Sequence, residues 1–489
     1  MSEREITLHI SENGDDTNEG SLEGPLWSVA AALDKVRWKS CRAATFVIHG
    51  SITEIAAHSA MIDITGRGLP AISLRGESPE SPGRLNAAGL NKRVIYVSDG
   101  NILYLENDIV LCGGLVRGSG GSGVTLENAT LVMRGGEISG NDSGLGMGGG
   151  VYVGKDSEFV MEGGLIRGNT TLMHGGGVFP DEGGTFTMSG GTISGNTAHL
   201  CGGGVFVGIG SKFEMTGGCI DGNISGTENT MLLGGIPIPL GRGGGVYVSR
   251  GTSFRMEGGE IVNNRAIAVQ MDDSSAGSGG GVFVEQGGIF YFEKGKIRKN
   301  GAINWGGGVY SEGSIASLQQ DCVISNNVAR LGGGGVQTAG ERADFTMRGG
   351  FLLDNFTAGN GGGINIIARS SFTMEGGLIA YNDALKLGNA LAIEGTALMR
   401  GGVVLSVVDE RGGKNTGLAE GSGEGEPTDA DTEAGAPDKA AKTVGIFISD
   451  AGKLTLRGGE LEGRIIMEDK GRLEDLRETG PRETAQKVT

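Results

Sequence analysis

Sugar-cleaving or general acid–base chemistry in this chain would have to come from carboxylates, and the candidates are few. Asp272 and Asp273 form an acidic pair in one long turn, and Glu228 lies in another long turn earlier in the chain. Two carboxylates held a fixed distance apart are what glycoside hydrolysis requires. The five histidines are dispersed, with His174 and His199 at positions that vary from repeat to repeat. Cys41, Cys112, Cys201, Cys219 and Cys322 form no C-x-x-C pair and share no repeat position, which argues against a zinc site or a disulfide framework. No catalytic residue, metal ligand or cofactor is therefore assigned.

A more regular signal is aromatic. Tyr152, Phe179, Phe206, Tyr247, Phe283 and Tyr310 each occupy the middle of a short strand that follows three glycines. Their sequence neighbours are apolar and β-branched in most copies, so strand alternation sends the neighbours inward and the rings outward. An outward aromatic stripe suits a sugar or an extended polypeptide. Stacked rings can also stabilise a sheet without binding anything, or the apolar turn at 224–242 can fold over them. The binding residues expected on this reading are the six aromatics with Glu228, Asp272 and Asp273.

Those positions are set by a repeat. The residue after the glycines falls at Val151, Val178, Val205, Val246, Val282, Val309, Val336, Ile364 and Leu391, mostly 27 or 28 residues apart. A period of this size means stacked units, and period-two alternation such as Phe186 to Met188 makes each unit a set of short strands. One unit cannot bury its own apolar face, so each strand must pair with its copy one coil on, at about 4.8 Å. The expected fold is all-β, a single right-handed parallel β-helix with three strands per coil. Phe159, Phe186, Phe213, Phe254, Phe290, Phe345 and Phe372 would form one core column, and Met161, Met188, Met215, Met256, Met347 and Met374 a second. Ile138, Ile166, Ile193, Ile220, Ile261, Ile297, Ile324 and Ile379 would form a third. Asn141, Asn169, Asn196, Asn223, Asn264, Asn300, Asn327, Asn355 and Asn382 read as a turn ladder of stacked amides, structural and not catalytic.

The ends and interruptions follow from pattern. Residues 1–45 read as a strand, Glu5–Ser11, and an amphipathic helix over 25–36 that caps the open end of the coil stack. Coils occupy 46–408, an acidic disordered insertion 409–442, a last coil 443–467, and a charged tail 468–489 with a short helix over 472–478. Long turns at 224–242 and 265–278 belong to successive coils and should lie side by side. The formal charge of −17 with no Lys/Arg stripe disfavours nucleic acid as a partner. With 97 glycines but no three-residue period, collagen is excluded. No long apolar run reads as a membrane span, the charged opening reads as no signal peptide, and a monomer is expected.

Repeats such as GGGVYV, FTMSGGTISGN and FTMEGGLIAYN resemble those of bacterial surface β-helix proteins, among them chlamydial polymorphic membrane proteins and related spirochaete and clostridial proteins. The opening GDDTNEG followed by AAAL is similar to the start of pectate-lyase-like, pectin-lyase-superfamily domains. This resemblance implies an extracellular or cell-surface location, although neither an export signal nor a C-terminal translocator barrel is read here. It implies adhesins on one side and polysaccharide lyases or hydrolases on the other. The N-T-D, G-H-G and R-I-K motifs that a resemblance to polygalacturonases would bring are missing. The expected function is non-catalytic binding or adhesion to a carbohydrate or to a host or bacterial surface protein. The alternatives are a polysaccharide lyase or glycoside hydrolase, and a structural spacer without a ligand.

Overall fold

The computed structural model describes residues 5–39, 41–54, 60–118, 120–227, 232–233, 236–237, 241–268, 275–341, 343–405, 444–477 and 486–487. The chain folds as a right-handed parallel β-helix whose regular structure is β-strand apart from a single helix among the described residues. It comprises two units, 1–227 with 244–260, and 228–243 with 261–489.

In the first unit one coil consists of Val178–Pro180, Thr185–Met188 and Thr192–Ser194, followed by the two-residue strand Thr197–Ala198. Each strand pairs in parallel with its counterparts one coil before and one coil after. The fourth, two-residue strand was not expected. It sits just past the ladder asparagine and gives the turn backbone a pairing partner. Register is exact through the core column, Phe159 opposite Phe186 and Phe186 opposite Phe213. Their rings stack at 4.8 and 4.7 Å, and Phe213 stacks on Phe254 at 4.6 Å. Face-to-face rings at this spacing are what a parallel ladder imposes, since each side chain lies one strand spacing above its copy.

The methionine column explains the corner glycines. A Cβ on Gly191 would lie 2.6 Å from the Met161 methyl, and one on Gly218 would lie 2.6 Å from the Met188 methyl. Both glycines also hold positive φ, 79° and 85°. The corner is therefore closed to any other residue by sterics and by backbone conformation together.

The asparagine ladder is directional. Asn141 Nδ2 donates to Asn169 Oδ1 at 2.9 Å, Asn169 to Asn196 at 3.0 Å, and Asn196 to Asn223 at 2.9 Å. Each backbone N–H donates to the same oxygen. The second amide proton goes to a leucine or isoleucine carbonyl of the preceding coil, as from Asn141 to Leu111 and from Asn196 to Ile166. Buried amides with every group matched are stable in a low-dielectric interior, and an unmatched one is costly.

The cap helix is shorter than its pattern suggested, Val29–Val36, because Ser28 ends the preceding extended segment as N-cap. The Ser28 hydroxyl accepts the Ala31 N–H and donates to Asp16, which also takes the Trp27 and Ser28 backbone N–H groups. Val29, Ala32, Leu33 and Val36 are buried. Under the helix start lies Glu54, which accepts the Val29 N–H, yet burial pushes its carboxyl up to about 7.

In the second unit the ladder continues as Asn264 to Asn300, Asn327, Asn355 and Asn382 at 2.9–3.0 Å. The phenylalanine column is less regular. Ile315 stands between Phe290 and Phe345, with a register shift between Ile315 and Leu318. The final strands run Val444–Ile448, Lys453–Leu456, Glu460–Glu462, Arg464–Met467 and Arg472–Asp475. The helix expected over 472–478 is corrected to the strand Arg472–Asp475, because Leu473 repeats the inward position of Leu454. The acidic insertion 409–442 lies outside the described residues.

Candidate functional site

The six expected aromatics stack with their neighbours within each unit, on the outer side of their strands. In the first unit Tyr152, Phe179, Phe206 and Tyr247 stack at 5.9, 5.1 and 4.7 Å, and in the second Phe283 and Tyr310 stack at 4.9 Å. The expectation of an open stripe is corrected for most of it. Relative exposure is 4% at Phe179, 5% at Tyr247, 0% at Phe283 and 7% at Tyr310, while Tyr152 and Phe206 are half-buried.

The cause is the path of the chain before each glycine triplet, which returns across the rings. A Cβ on Gly175, φ 69°, would lie 2.8 Å from the Phe179 Cβ. Side chains extend this cover. His174 lies on Phe206 at 4.5 Å, and the Arg242 guanidinium sits 5.6 Å over the Phe283 ring. Burial drives the His174 imidazole down to about 4, so it is neutral at ordinary pH. Alternation gave the direction of the rings correctly and could not show what passes over them.

Glu228, Asp272 and Asp273 lie outside the described residues. The turns that carry them do meet where they end, since Arg242 bridges Ser278 in parallel. Part of the first turn is a two-stranded antiparallel hairpin, Leu232–Leu233 against Ile236–Pro237.

The column is open where it is interrupted. In the first unit Tyr96, Thr125 and Tyr152 occupy the same position in three successive coils. Thr125 is small and buried, with its hydroxyl on the Gly121 carbonyl, so the two tyrosines stand two coil spacings apart, about 9.6 Å. Beside this gap is a pocket of about 450 Å³ lined by Tyr96, Ser98, Asp99, Glu127, Asn128, Tyr152, Gly154, Lys155 and Asp156. The strands place the tyrosines, and the turns that follow place the polar groups. Asp99, Asn128 and Asp156 all adopt positive φ in those turns.

Both rings are held by carboxylates. Tyr96 Oη donates to Glu127 Oε2 at 2.6 Å, and Tyr152 Oη donates to Asp181 Oδ2 at 2.6 Å. Burial first, then the Glu127 bond, pushes the Tyr96 phenol up to about 12, and burial with Asp181 raises that of Tyr152. The Arg93 guanidinium lies 5.6 Å from the Tyr96 ring. The Gly66 N–H and the Ser98 hydroxyl hold the Asp99 carboxyl below its usual range. Tyr96 was missed because its coil lacks the glycine triplet. Matching Ile95 and Val97 to Val151 and Val153 would have found it.

No family model, curated protein or solved structure matches this chain. Function must be argued from the residues themselves. Among the described residues no group of three or more His, Cys, Asp or Glu is placed to hold a metal ion, and no helix is long and apolar enough to cross a membrane. A second opening, of about 550 Å³, runs past Glu137, Ser139, Gly140, Arg167, Gly168, Ser194 and Gly195. It holds no ring, and its Arg167 is already paired with Glu137 at 3.0 Å.

Proposed function

We propose that the chain is a non-catalytic binding protein of the cell-surface or secreted type, and that it holds a carbohydrate in the Tyr96–Tyr152 pocket. The observation that carries this reading is the small Thr125 between Tyr96 and Tyr152, which leaves a gap between two rings, with polar turn residues gathered at its mouth. Tyrosine presents an apolar face to the C–H side of a sugar ring, while Asp99, Asn128, Lys155 and Asp156 are suited to its hydroxyls. A pocket of this volume takes one or two sugar rings. The covered rings farther along serve the sheet.

Binding is favoured over cleavage by how the carboxylates are used. Glu127 and Asp181 are each engaged by a tyrosine hydroxyl at 2.6 Å and so fix the rings in place. A concave site favours a glycan over a flat protein surface.

The test is binding of the full chain to neutral, acidic and amino-sugar oligosaccharides by calorimetry, with Tyr96→Ala and Tyr152→Ala. Each substitution should weaken binding about tenfold, roughly the 1.4 kcal/mol at the upper end of an aromatic contact. Equal affinity in both variants rejects the site. Reducing-sugar or unsaturated products released by the wild type would establish the hydrolase or lyase alternative instead.

A further inference from the structure

The end of the cap helix carries an anomaly that the sugar pocket does not use. Trp38 follows the C-cap residue Arg37 and holds φ 63°. That is the position where helices place glycine, and a bulky side chain there is a backbone outlier. Its N–H donates to the Gly68 carbonyl at 2.8 Å, and its ring lies over Gly68, where no Cβ would fit. Even so the residue is 74% exposed. The fold therefore fixes the indole firmly at its base and leaves most of it in solvent.

Basic residues predominate around it, with Asp34 and Asp99 the acids beside them. Lys35, Arg37, Lys39 and Arg42 fall within eight residues that contain no acid, and Arg67 is adjacent, in a protein of net charge −17. Lys39, Arg42 and Arg67 are exposed. The Arg37 guanidinium bonds the Thr65 and Arg67 carbonyls at 3.1 Å and braces the segment beneath the indole. Charges beyond about 8 Å are screened at physiological salt, so the local sign governs what approaches. Trp27 and Leu22 are also exposed but lie in sequence near Asp15, Asp16, Glu19 and Glu23, and carry no such complement.

We infer that this Trp38 patch docks on an anionic lipid surface. Trp is favoured at the bilayer interface, and Lys and Arg beside it meet anionic headgroups. A protruding ring suits a partner that can flow around it, and strain kept at a bulky exposed residue points to use.

The experiment is flotation of the full chain with vesicles of phosphatidylcholine alone or with a third phosphatidylglycerol. Trp38→Gly is the informative variant, because glycine accepts this φ and the fold is not put at risk. The wild type should bind the phosphatidylglycerol vesicles, lose at least tenfold in binding at 0.5 M salt, and ignore phosphatidylcholine. Trp38→Gly and the double variant Lys39→Glu, Arg67→Glu should each lose at least tenfold, with a melting temperature no lower than that of the wild type. No binding by the wild type, or undiminished binding by Trp38→Gly, overturns the inference. Binding to soluble polygalacturonate or heparin with no binding to vesicles also overturns it and makes the patch a polyanion site. Oligosaccharide affinity at the pocket should not change in Trp38→Gly.

Discussion

The corner just before the ladder asparagine is built in two ways. In the first unit it is Gly140, Gly168, Gly195 and Gly222, with φ between 58° and 63°. In the second it is Asn263, Lys299, Asn326, Asp354 and Tyr381, with φ between 55° and 57°. The backbone is the same and only the side chain differs. A Cβ on any of the four glycines would touch nothing within 4 Å, so space does not explain their choice. What glycine avoids is the intrinsic cost of the left-handed conformation. The phenylalanine column shows a parallel difference, unbroken from Phe159 to Phe254 in the first unit and interrupted by Ile315 in the second. The asparagines are common to both, which identifies the ladder as the element that fixes the corner and the other positions as adjustable.

The largest effect that would sharpen this comparison lies in the cores. Phe213→Ala, stacked on both sides, should cost about 3–5 kcal/mol. Phe372 meets one ring, Phe345, tilted at 5.1 Å, and has Ala397 on its other side, so Phe372→Ala should cost about 1 kcal/mol less. Chemical denaturation of the two variants measures both, and equal losses would break the contrast.

Next comes acid sensitivity of the first unit. His174 titrates at about 4 when folded against 6.5 when free, because burial disfavours its charge. Its contribution is therefore complete above pH 6.5 and is lost as pH falls from 6.5 through 4, about 3 kcal/mol in all. His174→Phe should flatten the stability profile across that window. A profile unchanged by the substitution would show that the imidazole is solvated.

The smallest effect tests the corner itself. Tyr381→Gly and Lys299→Gly should stabilise by about 0.5–1 kcal/mol, while Gly195→Ala should destabilise by about 1 kcal/mol. Midpoints in guanidinium that move in the same direction for all three would mean that the left-handed cost is not what separates the units.

Much of the fold was legible because a strict repeat turns one-dimensional spacing into vertical columns. Phe186 over Phe213 and Asn169 over Asn196 required only counting. The cap helix was legible as well, apart from a start set by the distant Asp16. The site was harder to read. Cover of Phe283 depends on the route taken by residues before Gly279, and no periodicity reports a path. Tyr96 was hidden in a coil without the marker glycines, and the significance of Trp38 lies in a dihedral angle that composition does not encode. The strand Arg472–Asp475 shows the opposite error, where charge density was read as helix although Leu473 kept the register.

Along the ladder each amide donates one proton to the amide oxygen of the next coil and accepts one from the amide before, through a bond of fixed geometry. Excising residues 170–196 would set Asn169 against Asn223 with the same donor meeting the same acceptor. Unequal recombination between copies of the repeat can therefore shorten or extend the protein by whole turns, each splice healing itself. Length is the property that such a gene can change most cheaply.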